Sequence, residues 1–118
     1  MKKILLCDDD LDIATLMSII VKSLKYEFAK VNEIKEITDL IEQEKPDLIL
    51  MDLWIPEIGG EEAVKLIKAD SRTKDIPVLL FSANDQLPEI AEKVGADGFI
   101  RKPFDIAVFK DTIAPFLS

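Results

Sequence analysis

Runs of apolar residues at positions 4–7, 48–51 and 78–81 each stop on a polar side chain: Asp8, Asp52 and Ser82. A short continuous apolar run bounded by turn signals reads as a strand buried on both faces. Between these runs, apolar residues recur every three or four positions, the period of a helix with one buried side. Strands buried on both faces and separated by helices leave few architectures. They imply a parallel sheet with right-handed crossovers and helices on both sides, a doubly wound α/β fold.

The chain in order supports five such units. Residues 3–7 form the first predicted strand and run into Asp8-Asp9-Asp10. Asp10 can cap the following helix, whose apolar positions are Ile13, Leu16, Met17, Ile20, Val21 and Leu24. Lys22 and Lys25 fall near its end, where the helix dipole favours cations. Residues 26–31 read as a second strand. Asn32 can cap a helix from about 33 to 44, with Ile34, Ile37, Leu40 and Ile41 on one face and Pro46 as its stop. The third strand follows, with Asp52 at its end, then Pro56, and then Gly59-Gly60 to open a helix that turns Ala63, Val64, Leu66 and Ile67 inward. After a polar loop at 71–75, Pro77 leads into the fourth strand, which stops at Ser82-Ala83-Asn84-Asp85. Pro88 suits the first turn of a fourth helix, and Gly95 closes it. A short fifth strand holds Phe99-Ile100 and ends at Arg101-Lys102-Pro103. Asp105 caps a last helix carrying Ile106, Phe109 and Ile113, which Pro115 should end or distort. No repeat, linker or low-complexity segment interrupts this order.

Composition narrows the function. The 118 residues make one domain, 1–118, with one core. A net charge of −8 argues against nucleic acid or an anionic membrane as a direct partner, though not against a basic patch on another protein. Cys7 is the only cysteine, so no internal disulfide forms, which suits the cytoplasm. No run reaches transmembrane length, and three aspartates cut short the apolar N-terminal run, so it is not a signal peptide. There is no histidine, which excludes histidine-based catalysis, His metal ligands and phosphohistidine within the chain.

A parallel sheet sends all its strand ends to one edge. Here that edge collects Asp8 and Asp9, Asp52, Ser82 and Lys102. Singly, each has a bland reading: turn aspartates, a helix-capping serine, a surface lysine. Their coincidence at four strand ends favours one site. Three carboxylates call for a hard divalent cation, and one or two carboxylates with a phosphate and waters suit Mg2+. No His or thiolate cluster offers a zinc site. Asp52 can attack phosphorus as a carboxylate nucleophile and form an aspartyl phosphate. Phosphoryl transfer is mostly positioning and charge stabilisation, so a metal and a lysine suffice as partners. Lys102 would hold one phosphoryl oxygen and the Ser82 hydroxyl another.

The sequence resembles the receiver domain of bacterial two-component response regulators, in particular single-domain receivers of the chemotaxis-regulator type. The resemblance is carried by residues 4–10, by Met51-Asp52 through Gly60, by 78–83 and by 98–104, in order and across essentially the whole chain. It implies a (βα)5 flavodoxin-like receiver fold with a five-stranded parallel sheet in strand order 2-1-3-4-5. It implies that Asp52 is the phosphoacceptor, that Asp8 and Asp9 bind Mg2+ with Asp52, and that the backbone carbonyl of Trp54 adds a ligand. Lys102 then pairs with the phosphoryl group across a cis Lys102–Pro103 bond. Ser82 swings toward that group and Phe99 turns inward with it. The implied donor is a sensor histidine kinase or phosphotransfer protein. The implied output is an altered α4-β5-α5 surface that controls a downstream protein and could support a homodimer. Trp54 and Asn84 border the path of the attacking water, so a bulky Trp54 should slow hydrolysis. Phe99 stands where many relatives carry tyrosine, and has no hydroxyl to offer a partner.

Rival readings remain open at this point. A magnesium phosphatase or phosphotransferase would need an acid/base carboxylate two residues after the nucleophile, where Trp54 stands. A receiver-like interaction module that works without phosphorylation is a second alternative. A flavin or nucleotide binder would want a Gly-rich loop after the first strand, which is absent. With no helix-turn-helix in the chain, it reads as a stand-alone receiver or a piece of a longer regulator or hybrid kinase, and Met1 and the filled C-terminal end suit the first.

Overall fold

Strands that face apolar cover on both sides should pair only with one another, and they do. The computed structural model describes residues 1–31, 36–54 and 59–117. Its elements alternate throughout: β1 (Lys3–Cys7), α1 (Leu11–Ser23), β2 (Glu27–Val31), α2 (Ile37–Glu44), β3 (Leu48–Met51), α3 (Gly60–Ala69), β4 (Val78–Ser82), α4 (Leu87–Val94), β5 (Gly98–Arg101) and α5 (Ile106–Leu117). All strand pairings are parallel, in the order β2-β1-β3-β4-β5. The doubly wound fold and its strand order are therefore as expected.

Alternate residues of each central strand feed two separate cores, one on each face of the sheet, where a single core was expected. Leu5, Cys7, Ile49, Met51, Val78 and Leu80 pack with Ile37 and Ile41 of α2, Ala63, Val64 and Ile67 of α3, and Leu87, Ala91 and Val94 of α4. Ile4, Leu6, Leu48, Leu50, Leu79 and Phe81 pack with Ala14, Met17, Ile20 and Val21 of α1 and Phe109, Ile113 and Leu117 of α5. Residues 4–7, 48–51 and 78–81 are all fully buried. Sequence order reverses at β1, whose neighbours are β2 and β3. The crevice at the carboxyl ends of β1 and β3 is the usual ligand site of such a sheet.

Several helix ends follow the expected chemistry. The Asp10 carboxylate accepts from the backbone N–H groups of Asp12 and Ile13 at 2.9 and 3.1 Å. The Asp105 carboxylate accepts from Ala107 N at 2.7 Å. Gly95 ends α4 in the left-handed region, and Pro88 lies in that helix's first turn. Asn32, Ile34 and the start expected at 33 lie outside the described residues, as does Pro56.

The inward faces are narrower than expected. Leu16, Leu66 and Ile106 are 45%, 38% and 57% exposed. Successive helical residues sit about 100° apart, so Leu16 and Leu66 fall on the flanks of rows already filled by Met17 and Ile67. In α5 the buried row begins one turn later, at Phe109, and recurs at Ile113 and Leu117, leaving Ile106 at the rim. Pro115 does not end α5, which runs to Leu117. A proline in the last turn removes few helical bonds, and the buried Leu117 anchors the end.

Gly59 and Gly60 join this frame to the crevice. Gly59 precedes α3 with φ +82°, a conformation that favours glycine. A Cβ on Gly60 would overlap the Asp52 carbonyl and press on Leu53 Cα, both backbone atoms that cannot rotate aside. Gly60 N–H also donates to the Leu53 carbonyl at 3.0 Å. Gly60→Ala should therefore cost about 1–3 kcal/mol through overpacking, read as a lower urea midpoint, and should displace the backbone that carries Asp52. A wild-type midpoint would refute the close approach.

Candidate functional site

The sheet's own hydrogen bonds extend past the strand ends and fix the crevice. Asp52 N–H donates to the Cys7 carbonyl at 2.9 Å, and Lys102 N–H to the Ser82 carbonyl at 2.9 Å. Asp8 N–H donates to Val31 at 3.1 Å. The first residue beyond β1, β3 and β5 is thus held by the ladder itself, and Ser82 closes β4. Asp8, Asp52 and Ser82 are buried, at 2%, 6% and 3% exposure, while Asp9 is exposed. Carboxylate oxygens of Asp8, Asp9 and Asp52 all lie within 4.8 Å of one another. Trp54, Ser82, Asn84 and Lys102 line the same open cleft, of about 380 Å³.

Among the described residues, one ammonium reaches this cluster. Lys102 Nζ donates to Asp8 Oδ2 at 2.8 Å and stands 3.6 Å from Asp52 Oδ1. The other Asp8 oxygen accepts from Asp10 N–H at 2.9 Å. Beneath the ammonium lies the Phe81 ring, 4.6 Å from Nζ to centroid. Phe104 meets Phe81 edge-on at 5.4 Å and Phe109 at 5.5 Å. The lysine therefore rests on an aromatic stack continuous with the core. The Lys102–Pro103 peptide is cis, as the resemblance implies.

Burial raises the Asp52 carboxyl above its ordinary range, and the charge of Asp8 adds to the rise. Lys102 pulls the other way without cancelling it, and Asp9 adds a smaller upward push. Cys7, directly below, is driven up by burial and by Asp8, so it stays a thiol and serves as core.

The residues expected to move are in resting contacts. Ser82 Oγ accepts from Asn84 N–H at 3.2 Å, and Asn84 Oδ1 accepts from Gln86 N–H at 2.8 Å. Phe99 pairs in register with Leu80, which places it on the α4 side of edge strand β5, where it is 38% exposed. Trp54 is 75% exposed. The fold thus brings Asp8, Asp9, Asp52, Trp54, Ser82 and Lys102 to one cleft, with Phe99 outside it. Phe81 under Lys102 was missed at the sequence level. Its only signal was its place just before Ser82, which gains meaning once β5 is known to lie beside β4.

The sequence matches the family model described as the response regulator receiver domain over residues 4–114. The chain belongs to that family. This receiver domain is 30% identical to the polar-differentiation response regulator DivK of Brucella anthropi, covering 98% of this chain and 96% of DivK. It is 36% identical to the DNA-binding dual master transcriptional regulator RpaA of Synechocystis, covering 90% of this chain and 45% of RpaA. The chain spans less than half the length of several curated relatives that it matches. Its fold superposes on the chemotaxis response regulator CheY4 of Vibrio cholerae with a TM-score of 0.88, 26% identity and 99% coverage of both chains. It also superposes on the receiver domain of the sensor histidine kinase PA1611 of Pseudomonas aeruginosa, with a TM-score of 0.87, 24% identity and 98% and 97% coverage. That crystal structure has a magnesium ion coordinated in its active-site cleft; the likeness extends to the fold. Among the described residues, no helix is long and apolar enough to cross a membrane.

The raised Asp52 has a consequence for stability. A carboxyl that holds its proton more tightly when folded weakens the fold once it ionises. The cost is absent below the ordinary value of 3.8 and complete above the raised one. In metal-free buffer, Asp52→Asn should unfold at higher urea than wild type at pH 7, and the gap should close as the pH falls toward 3.8. A variant less stable than wild type at pH 7 would contradict this.

Proposed function

We propose that this receiver domain, over 1–118, is a phosphorylation-activated switch of a two-component phosphorelay, acting in the cytoplasm. Asp52 accepts a phosphoryl group from a phosphohistidine of a sensor histidine kinase or phosphotransfer protein. The observation that carries this reading is a buried carboxylate at a strand end, with two further carboxylates within 4.8 Å and an ammonium at 3.6 Å.

The donor set fits Mg2+: clustered hard oxygens with no histidine or thiolate among them. Asp8, Asp9 and Asp52 would hold it, with the Trp54 backbone carbonyl as a further oxygen. Bound there, Mg2+ would neutralise charge on the carboxylates and on phosphoryl oxygens. The chain's own residues do the rest. An Asp52 oxygen forms the bond to phosphorus as the phosphorus–nitrogen bond of the donor breaks. Lys102, already between Asp8 and Asp52, shifts its ammonium to a phosphoryl oxygen.

The phosphoryl group brings its own negative charge, beyond the one the carboxylate gives up, and strong acceptor oxygens at Asp52. Ser82 then gains a charged acceptor for its hydroxyl proton, which the bond from Asn84 N–H does not use. Its swing vacates room for Phe99 to leave its half-exposed position. The surface of α4, β5 and α5 repacks, and a downstream protein, or a second copy, reads the change. This is a population shift between two packings. The domain acts as a switch, and its chemistry is limited to its own phosphorylation and hydrolysis.

Intact mass after incubation with acetyl phosphate tests the reading. One phosphoryl adduct is expected in wild type with Mg2+, and none without Mg2+ or in Asp52→Asn. A folded wild type that takes no adduct from small donors or from a kinase would instead indicate an interaction module that works without phosphorylation. The lifetime is a second check. Trp54 lines the cleft and offers no acid or base to a water. Trp54→Asn should lose its phosphoryl group several-fold faster than wild type; equal or slower loss would sink that role.

A further inference from the structure

The sheet has two edges, β2 and β5. The β5 edge belongs to the switching surface, and β2 has no part in it. Glu27 N–H donates to the Lys2 carbonyl at 2.8 Å, and the Val31 carbonyl accepts from Asp8 N–H at 3.1 Å. Backbone groups alternate in direction along a strand, so residues 27, 29 and 31 face β1. The N–H and C=O groups of Phe28 and Lys30 therefore point away from the sheet. Among the described residues, no hydrogen bond reaches them. Such a row is a template for another strand. The lining beside it is basic. Thr15, Ser18, Ile19 and Lys22 of α1 and Phe28 and Lys30 of β2 line a groove of about 360 Å³ with no carboxylate on it among the described residues. An adjoining hollow of about 430 Å³ shares Lys22 and Phe28 and has Glu27 as its one acid. Among the described residues, neither Lys22 nor Lys30 pairs with a carboxylate. The chain carries −8 overall, but salt screens charges beyond about 8 Å, so the groove presents its own ammonium groups to a ligand.

We propose that the free edge of β2 docks an extended acidic segment of a partner protein, which adds as a further strand and sets its carboxylates against Lys22 and Lys30. The charge decides the occupant. A second copy would bring the same lysines to a paired edge and be repelled, whereas a strand bearing carboxylates is attracted. Main-chain hydrogen bonds to Phe28 and Lys30 supply affinity, and the flanking side chains supply the choice of sequence. Alternation then puts the segment's apolar residues on the other face, beside the partly buried Ala29 and Val31. This docking lies at the opposite edge of the sheet from β5 and requires no phosphoryl group at Asp52.

Fluorescence anisotropy of a labelled peptide tests the docking. The probe has about six residues, valine alternating with glutamate, and a control peptide carries lysine in place of glutamate. The glutamate peptide should bind the chain and the lysine peptide should not. Lys22 and Lys30 are both exposed, so Lys22→Ala combined with Lys30→Ala should leave the fold intact and weaken binding about two- to thirtyfold. N-methylation of one alternate set of peptide amides should abolish binding, while the other set should stay within about twofold of the parent peptide. Hydrogen exchange at the Phe28 and Lys30 amides should slow when the glutamate peptide is bound. No binding of the glutamate peptide, equal binding of the lysine peptide, equal loss from both N-methylated sets, or unchanged exchange at both amides would overturn the proposal. A dimer in sedimentation equilibrium whose formation protects the same two amides would assign the edge to a second copy instead, and would overturn it as well.

Discussion

Lys102 brings its ammonium to 2.8 Å from Asp8 and 3.6 Å from Asp52, and the rest of the carboxyl edge is arranged around that sharing. Asp8 and Asp52 are buried together, which water alone would not permit. Unit charges about 4 Å apart at an effective dielectric near 20 interact by about 4 kcal/mol. One cation of that strength holds one carboxylate well and two poorly. Asp8 has the shorter contact and a backbone N–H as well. Asp52 has the longer contact, and its carboxyl is raised, so desolvation and like charge outweigh Lys102 there. The fold keeps the more poorly compensated of these two carboxylates where a reacting group would arrive. A cation at that point would relieve a deficit already built into the chain.

That arrangement holds only because the backbone cannot drift. The first residue after β3 and after β5 donates into the neighbouring strand, so Asp52 and Lys102 inherit the rigidity of the sheet. Phe81, Phe104 and Phe109 extend the core up to the ammonium, which cannot sink without displacing rings. From the other side Gly60 lets α3 start against the Asp52 carbonyl. Placement of the charges and packing of the core are therefore one problem, solved by the same residues.

This explains which parts could be read from sequence. Residues 4–7, 48–51 and 78–81 are buried on both faces, so their apolar runs announced a parallel sheet before any pairing was known. Parallel topology then sent Asp8, Asp52, Ser82 and Lys102 to one edge, and no side-chain detail was needed. Asp10, Asp105 and Gly95 acted as helix punctuation because capping is local. What failed was lateral. Leu16, Leu66 and Ile106 fit a helical period but sit on flanks or at the rim, and periodicity does not report how wide a stripe the sheet will cover. Pro115 was overruled by the burial of Leu117. The ring under Lys102 was hidden because Phe81 and Lys102 become neighbours only through the pairing of β4 with β5.

The loop after β4 links the charged cleft to the outer surface. Ser82 is both the last residue of β4 and the acceptor for Asn84 N–H, so its hydroxyl already has a use in the resting chain. A 3.2 Å bond from a backbone amide to a hydroxyl is a weak hold, worth about 1 kcal/mol net. In the proposed switch, a charged acceptor at Asp52 would take the Ser82 hydroxyl proton in a bond roughly twice that strength, and turning Ser82 toward it would give up the Asn84 contact. Phe99, in register with Leu80 on the adjacent edge strand, is a large apolar group on that side with area still in water. Burying it adds apolar stabilisation to the same shift. In the proposed switch, the hydrogen bond at Ser82 and the partly hydrated ring at Phe99 would favour the same rearrangement, and their coupling would let chemistry at the sheet edge alter the surface near α4.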